Sequence, residues 1–162
     1  MNMKKIVLFT IIFMIAISSL SMVSAGLFGP DPQEVTVDGV NFVLDGDIKI
    51  KGENDNFINF AVKDGVTGVL SRLINDEDLE SYTQNDTEWG YTVLEVNSDS
   101  DIKEYGFVDG DISKGYFILF QKDGKNFVYQ LTTSLNADDY DVKEMAESIN
   151  AFIKDNPDLK PI

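Results

Sequence analysis

The stretch YFILFQKDGKNFVYQLT, Tyr116–Thr132, decides the fold. Two β-prone runs flank an Asp-Gly pair, a pattern that is typical of the tight turn in a β-hairpin. The first run has apolar residues on both of its faces, which indicates a central strand with a helix on one side. In the second run, Phe127, Tyr129 and Leu131 share one face because side chains alternate along a strand. We therefore expect this hairpin to lie in the middle of an antiparallel sheet.

The same turn signal recurs along the chain. Asp-Gly pairs begin at positions 38, 45, 64, 109 and 123, and each is predicted to mark a hairpin turn. The run Val66–Ile74 fits either a short helix or a strand with two apolar faces, and Gly68 weakens both interpretations. The polar segment Asn75–Thr87 is interpreted as a loop with one helical turn near Asp76–Ser81.

An amphipathic helix is predicted near the C-terminus, over Asp138–Asp155. Asp138 or Asp139 can cap its first turn, and Pro157 ends it. The sequence therefore predicts an α+β fold, with a mainly antiparallel sheet of about six to eight strands and this helix packed on one face. The apolar stripe that would contact the sheet consists of Val142, Met145, Ala146, Ile149, Phe152 and Ile153.

The first 25 residues differ from the rest of the chain. Two lysines precede an apolar run, and small residues end the segment at Ala25. This is the pattern of a secretory signal peptide, and we expect cleavage after Ala25. An uncleaved membrane anchor is the alternative, because Ile6–Ala25 is just long enough to span a bilayer. The protein is therefore predicted to be secreted or associated with the cell envelope.

The remainder of the chain is predicted to form one domain. Residues 26–33 contain glycine and two prolines and are interpreted as a flexible lead-in. The α+β domain is expected over 34–156, and residues 157–162 are interpreted as a tail. Since the chain contains no cysteine, an exported domain must fold without disulfides, which favours a prokaryotic source.

The charge of the chain is strongly negative. There are 28 acidic residues against 13 basic ones, which gives a net charge of −15. Loss of the two leader lysines would leave 11 basic residues and a net charge of −17. Such a surface repels phosphate groups, so nucleic-acid binding is excluded and membrane contact is expected only through an uncleaved leader. The charge favours solubility, a cationic partner or a divalent metal ion.

The composition also excludes most catalytic chemistry. Histidine and cysteine are both absent, which excludes Ser-His and Cys-His nucleophile pairs and the usual zinc sites. No glycine-rich phosphate-binding loop is present. Two carboxylates suffice for glycoside hydrolysis. Among 28 acidic residues, however, some pair always looks suitable, so the presence of a pair is not evidence for this activity. We therefore expect a protein that is not an enzyme and that needs no cofactor, except for the calcium considered next.

Acidic loops provide the candidate metal site. Asp109 and Asp111 begin an alternating run of oxygen-bearing side chains, as in an EF-hand loop. Lys114 occupies the sixth position, where such a loop needs glycine, and the glutamate of the twelfth position is missing, so a hairpin turn is favoured. Asp99 and Asp101 form a similar cluster. Weak calcium binding through these four aspartates is the alternative interpretation.

One triplet in the chain is an acceptor sequence for N-linked glycosylation. Asn85 is followed by an aspartate and then by Thr87, in a polar segment just before a predicted strand. In an exported protein this is a suitable setting for a glycan. Asn85 is therefore a candidate modification site.

The opening hairpin, VTVDGVNFVL at Val35–Leu44, resembles a pattern found in a group of small uncharacterised proteins of methanogenic archaea. The later hairpin Phe117–Phe127 and the helix over Asp138–Ile153 resemble the same group, whereas Asp45 stands where that group has proline. The layout is also similar to the PsbP/Mog1-like α/β sandwich. This resemblance implies a fold and no particular activity.

Taken together, these features predict an exported, non-enzymatic, envelope-associated binding or interaction protein. Its partner would be an unknown protein or another component of the envelope. The alternative is an extracellular protein that binds calcium or another cation through its acidic loops.

Overall fold

The computed structural model of the protein describes residues 30–63, 65–96 and 100–162. The predicted leader over 1–25, with its cleavage site, lies outside the described residues, as do positions 26–29 of the predicted lead-in. Within the described ranges, no helix is long and apolar enough to cross a membrane.

Ten strands and two helices lie within the described residues. In chain order they are β1 (Gln33–Val37), β2 (Val40–Leu44), β3 (Lys49–Asn54), β4 (Phe57–Lys63), β5 (Val66–Leu73), α1 (Asp76–Thr83), β6 (Tyr91–Val96), β7 (Glu104–Asp109), β8 (Ser113–Lys122), β9 (Lys125–Ser134), α2 (Asp139–Asp155) and β10 (Lys160–Pro161).

The strands form two antiparallel sheets. β1 and β2 make a two-stranded sheet, and the others make an eight-stranded main sheet in the order β3-β4-β5-β9-β8-β7-β6, with β10 paired to β8. The pairing of β7 with β8 ends at Ile118, and β10 continues along the same side of β8 at Phe120 and Gln121. The predicted α+β class, mainly antiparallel with a C-terminal helix on the sheet, is confirmed.

The central hairpin is formed by β8 and β9, as the sequence predicted. Its turn residues Asp123 and Gly124 have φ values of 51° and 74°, and two consecutive positive φ values define a type I′ turn. Phe127, Tyr129 and Leu131 are fully buried on one face of β9. This turn chemistry fixes the register of the two strands on which the rest of the sheet is built.

The face of the sheet that carries these three residues is covered by α2 and by the β1–β2 hairpin. On α2, Met145 and Ile149 are fully buried, and the ring of Phe152 stacks on Tyr129 with their centroids 4.1 Å apart. The apolar stripe predicted for this helix therefore packs against the sheet, as expected from its helical spacing.

The opposite face has a smaller core beneath α1. Tyr82 of α1 packs on Phe117 of β8, with ring centroids 5.5 Å apart, and Leu119 and Val128 lie in the same cluster. Both faces of β8 are therefore buried, which explains why its sequence is apolar on both sides.

Several predictions for individual segments are corrected. Of the two interpretations of Val66–Ile74, the strand is confirmed: Val66–Leu73 forms β5, and Phe60 and Leu131 lie so close to Gly68 that only glycine fits there. The single helical turn near Asp76–Ser81 is a helix of eight residues, α1. The predicted tail over 157–162 is part of the fold, since Leu159 packs against the core and β10 pairs with β8.

One predicted hairpin turn is also wrong. Asp45 and Gly46 connect β2 to β3, but these strands belong to different sheets and do not pair. A side chain on Gly46 would lie 2.3 Å from the carbonyl oxygen of Pro30. Glycine at this position therefore allows the segment that follows β2 to pass close to the backbone at Pro30. The Asp-Gly pairs at 38, 109 and 123 each join strands that do pair, whereas Asp64 of the remaining pair lies outside the described residues.

Candidate functional site

The β1–β2 hairpin lies on the main sheet and is anchored there by Phe42. This side chain is 1% exposed, and its ring centroid lies 5.0 Å from that of Phe127, 6.0 Å from that of Phe120 and 6.2 Å from that of Phe152. Lys122 places its ammonium group 5.0 Å from the centroid of the same ring. Aromatic contacts thus join the hairpin to the central strands and to α2.

Polar contacts hold the tip of the hairpin in place. Asp38, with a φ of 48°, and Gly39, with a φ of 74°, form a type I′ turn. The Asp38 carboxylate lies 3.1 Å from both Lys125 Nζ and Arg72 Nε. The Asp38 N–H donates to the carbonyl of Asp55 in the β3–β4 turn. The tip is therefore attached to three other parts of the chain.

These contacts also set the protonation of Asp38. The hydrogen bond from Lys125 lowers the pKa of the Asp38 carboxyl below its ordinary value, and Arg72 acts in the same direction against the opposing effect of burial. At neutral pH the carboxylate is therefore charged and is paired with two cations.

The base of the hairpin is fixed by Gln33. Its Nε2 lies 2.7 Å from the carbonyl oxygen of Ile48 and 3.2 Å from those of Asp45 and Gly46. The side chain thus ties the start of β1 to the segment that leads into β3. With both ends attached, the hairpin has a fixed position relative to the edge of the main sheet.

At Val43, the outer edge of β2 is closed by the side chain of Asn156, just after α2. The N–H of Val43 donates to Asn156 Oδ1 at 2.9 Å, and Asn156 Nδ2 donates to the carbonyls of Val43 and Phe152 at 2.8 Å each. Asn156 is only 2% exposed. Because its amide supplies both a donor and an acceptor, it replaces the strand that would otherwise pair with β2.

The outer edge of β1 is open. Val37 pairs with Val40 beside a two-residue turn, so hydrogen-bonded and non-hydrogen-bonded pairs alternate away from the turn. Thr36 and Glu34 therefore direct their backbone N–H and C=O groups away from β2. Within the described residues, no hydrogen bond reaches these groups.

An open cleft of about 730 Å³ separates this free edge of β1 from β3, the edge strand of the main sheet. Its apolar lining comes from Val35 and Ile50. Its acidic lining comes from Asp38 and from three further carboxylates, which have no cationic partner among the described residues: Glu34, Glu53 and Asp55. The cleft therefore combines a small apolar surface, an excess of negative charge and unpaired strand backbone.

Three of the four aspartates predicted to bind calcium lie within the described residues, and they are found in two separate places. Asp99 lies outside the described residues, and the exposed Asp101 precedes β7, whereas Asp109 ends that strand and Asp111 follows it. Burial raises the pKa of the Asp109 carboxyl. Among the described residues, no three acidic side chains come together as metal ligands do. Calcium binding by these aspartates stays a prediction.

Asn85, the predicted glycosylation site, is exposed, as is Thr87. Its Oδ1 accepts a hydrogen bond of 2.7 Å from the N–H of Val93 in β6. The side-chain nitrogen of Asn85, to which a glycan would be attached, takes no part in this hydrogen bond. Glycosylation of Asn85 also stays a prediction.

The acidic cleft and the role of Asn156 are not indicated by local patterns in the sequence. From the sequence, Asp38 is predicted only as a turn residue and Glu34 as the start of a β-prone run, whereas Glu53 lies in a polar stretch, Gly52–Asn56, that predicts a loop and instead continues β3 to Asn54. The alternation in β1 does place Glu34 and Thr36 on one polar face, but it does not indicate that this strand borders a cleft.

Comparison with known proteins gives no functional assignment. No protein-family model matches the chain, and no curated protein matches it. What the cleft can bind must therefore be inferred from its geometry and its charge.

Proposed function

We propose that the protein is an exported, non-enzymatic binding module of the cell envelope and that the cleft between β1 and β3 contacts a cationic partner. The observation that carries this proposal is the group of carboxylates at Glu34, Glu53 and Asp55, which face a solvent-open cleft without a cation from the described residues. The pattern over 1–25 supports export. The lack of histidine and cysteine supports a binding role over catalysis.

Charge also supports this choice of partner. With a net charge of −15, the whole protein attracts cations over a distance set by the ionic strength, and the cleft adds a local site for them. Val35 and Ile50 provide apolar contacts beside the carboxylates. A partner with both basic and apolar side chains fits this surface better than a bare metal ion does.

The proposal is tested by measuring the binding of a labelled peptide of alternating lysine and valine to the full protein, by fluorescence anisotropy. The cleft variant combines Glu34→Gln, Glu53→Gln and Asp55→Asn. We expect it to bind the peptide about tenfold more weakly than the wild type, a loss that corresponds to about 1.4 kcal/mol.

A matched variant controls for the change in net charge. It neutralises three exposed carboxylates outside the cleft by Glu80→Gln, Glu88→Gln and Glu147→Gln. We expect its affinity for the peptide to stay within about twofold of the wild type, since contact pairs outweigh distant screened charges. Equal losses in the two variants would show that net charge alone attracts the peptide and would overturn the proposal.

A further inference from the structure

Both strands that border the cleft present backbone groups to it that have no hydrogen-bond partner among the residues that the structure describes. On β1, the outward residues are Glu34 and Thr36, and each offers one N–H and one C=O. On β3, the pair Glu53–Ile58 is the second from a two-residue turn, so Glu53 also directs its backbone groups outward. Exposed strand edges of this kind pair with an added strand unless something prevents it.

We infer that the partner binds in the cleft as an added β-strand, through main-chain hydrogen bonds to Glu34 and Thr36 of β1. This inference rests on the proposed function and specifies its partner class, an extended peptide segment with basic side chains at alternate positions. The two residues of β1 supply about four main-chain hydrogen bonds, and the strand is five residues long, so a segment of similar length is matched to it.

The alternation of side chains predicts the sequence of the bound segment. Residues opposite Glu34 and Thr36 lie on the exposed face of the hairpin, where a lysine or arginine meets the carboxylate of Glu34. The residue between them lies on the same face as the buried Val35, close to Ile50 of β3, and is expected to be apolar. The segment therefore alternates basic and apolar residues.

A second copy of the chain is a poorer occupant of this edge. Two β1 strands paired edge to edge would bring carboxylates such as Glu34 together, and like charges across a strand pair are destabilising. The net charge of −15 adds repulsion between whole molecules. Charge complementarity thus favours a basic peptide over self-association.

The main test uses two N-methylated forms of the lysine–valine peptide with wild-type protein. One form is methylated at the odd-numbered amides and the other at the even-numbered amides, so that only one form loses the donors that face β1. We expect one form to bind about tenfold more weakly than the parent peptide, and the other to bind within about twofold of it.

A pair of protein variants provides the complementary test. Thr36→Pro removes an outward N–H from β1, whereas Thr36→Val keeps this N–H and changes only the side chain. We expect Thr36→Pro to bind the parent peptide about tenfold more weakly, and Thr36→Val to bind it about as well as the wild type. Circular dichroism checks that both variants fold, and if Thr36→Pro does not, the methylated peptides decide.

The possible failures are distinct. If the cleft carboxylates matter but the two methylated peptides bind equally, the peptide is held by charge alone; strand addition is then wrong and the proposed function survives. If no form of the peptide binds, both are wrong. If the protein alone forms a dimer that Thr36→Pro abolishes, the occupant of the edge is a second copy, and the inference of a basic peptide is overturned.

Discussion

The two outer edges of the β1–β2 hairpin differ in how their backbone groups are satisfied. On β2, the N–H and C=O of Val43 both bond to the side chain of Asn156. On β1, the corresponding groups of Glu34 and Thr36 face the cleft, and no hydrogen bond within the described residues reaches them. The β2 edge is thus tied to the fold at Val43 by a single amide, whereas the β1 edge is available at both of its outward residues and carries negative charge. An edge with charged residues resists aggregation while it stays open to a partner of opposite charge.

Phe42→Ala should produce the largest effect, because it removes the side chain that attaches both edges to the core. A buried Phe→Ala change leaves a cavity, and we expect the free energy of unfolding to fall by about 4 kcal/mol. Urea unfolding followed by circular dichroism measures the change. Ile112→Ala is the control, since Ile112 is 74% exposed and should alter stability by less than about 0.5 kcal/mol. A loss below about 1 kcal/mol for Phe42→Ala would mean that the hairpin is not part of the core.

Asn156→Ala should have the second largest effect, because it opens the closed edge. The change leaves the N–H and C=O of Val43 without their partner, and we expect a loss of about 2 to 3 kcal/mol in the free energy of unfolding. The exposed Asn136, changed to alanine, provides the control in the same urea experiment. Equal stabilities of the two variants would contradict the role assigned to the Asn156 amide.

Asp38→Asn should have a smaller effect that depends on pH. Asparagine suits the positive φ of this turn position, so the change mainly removes the charge that pairs with Lys125 and Arg72. The folded pKa of Asp38 is lowered, so its stabilising contribution is present above the ordinary pKa and is lost as the pH falls through the folded value.

The melting temperatures of the wild type and of Asp38→Asn should therefore differ at neutral pH and converge in strong acid. Added salt should narrow the difference at neutral pH, because the carboxylate is partly exposed. A difference that is the same at every pH would show that the charge of Asp38 does not stabilise the tip of the hairpin.

Local sequence patterns predicted those elements whose structure depends on neighbouring residues. The turn at Asp123 and the apolar stripe of α2 are of this kind, because turn chemistry and helical spacing act over a few residues. The interpretation of Asp45 failed because an Asp-Gly pair permits a tight turn without requiring the flanking strands to pair. The β1–β2 hairpin itself was predicted, but its position was not. That position depends on contacts between Phe42 and three rings that are distant in the sequence, those of Phe120, Phe127 and Phe152.

The candidate site was less predictable than the fold for the same physical reason. Glu34 and Glu53 are 19 positions apart, and they line one cleft only because the hairpin lies over the sheet. Asn156 acts on Val43, 113 positions earlier in the chain. Neither relation leaves a periodic signal in the sequence, whereas the acidic clusters at 99–101 and 109–111 are prominent in it, and the described Asp101 lies at the opposite end of β7 from Asp109.

The two edges of the hairpin can be compared directly by placing a proline on each. The proline on the open edge, β1, should have the smallest effect on stability. Thr36→Pro removes an N–H that bonds to nothing among the described residues, together with the exposed hydrogen bond from Thr36 Oγ1 to Asn41 Oδ1, so we expect the free energy of unfolding to fall by no more than about 1 kcal/mol. Val43→Pro, at an equivalent outward position on β2, removes the donor to Asn156 Oδ1 and should cost at least about 1 kcal/mol more. Because both prolines occupy edge positions of the same hairpin, the general cost of fixing φ is shared by the two variants. Urea unfolding of the pair measures the difference, and equal losses would mean that the β1 edge is no more open than the β2 edge.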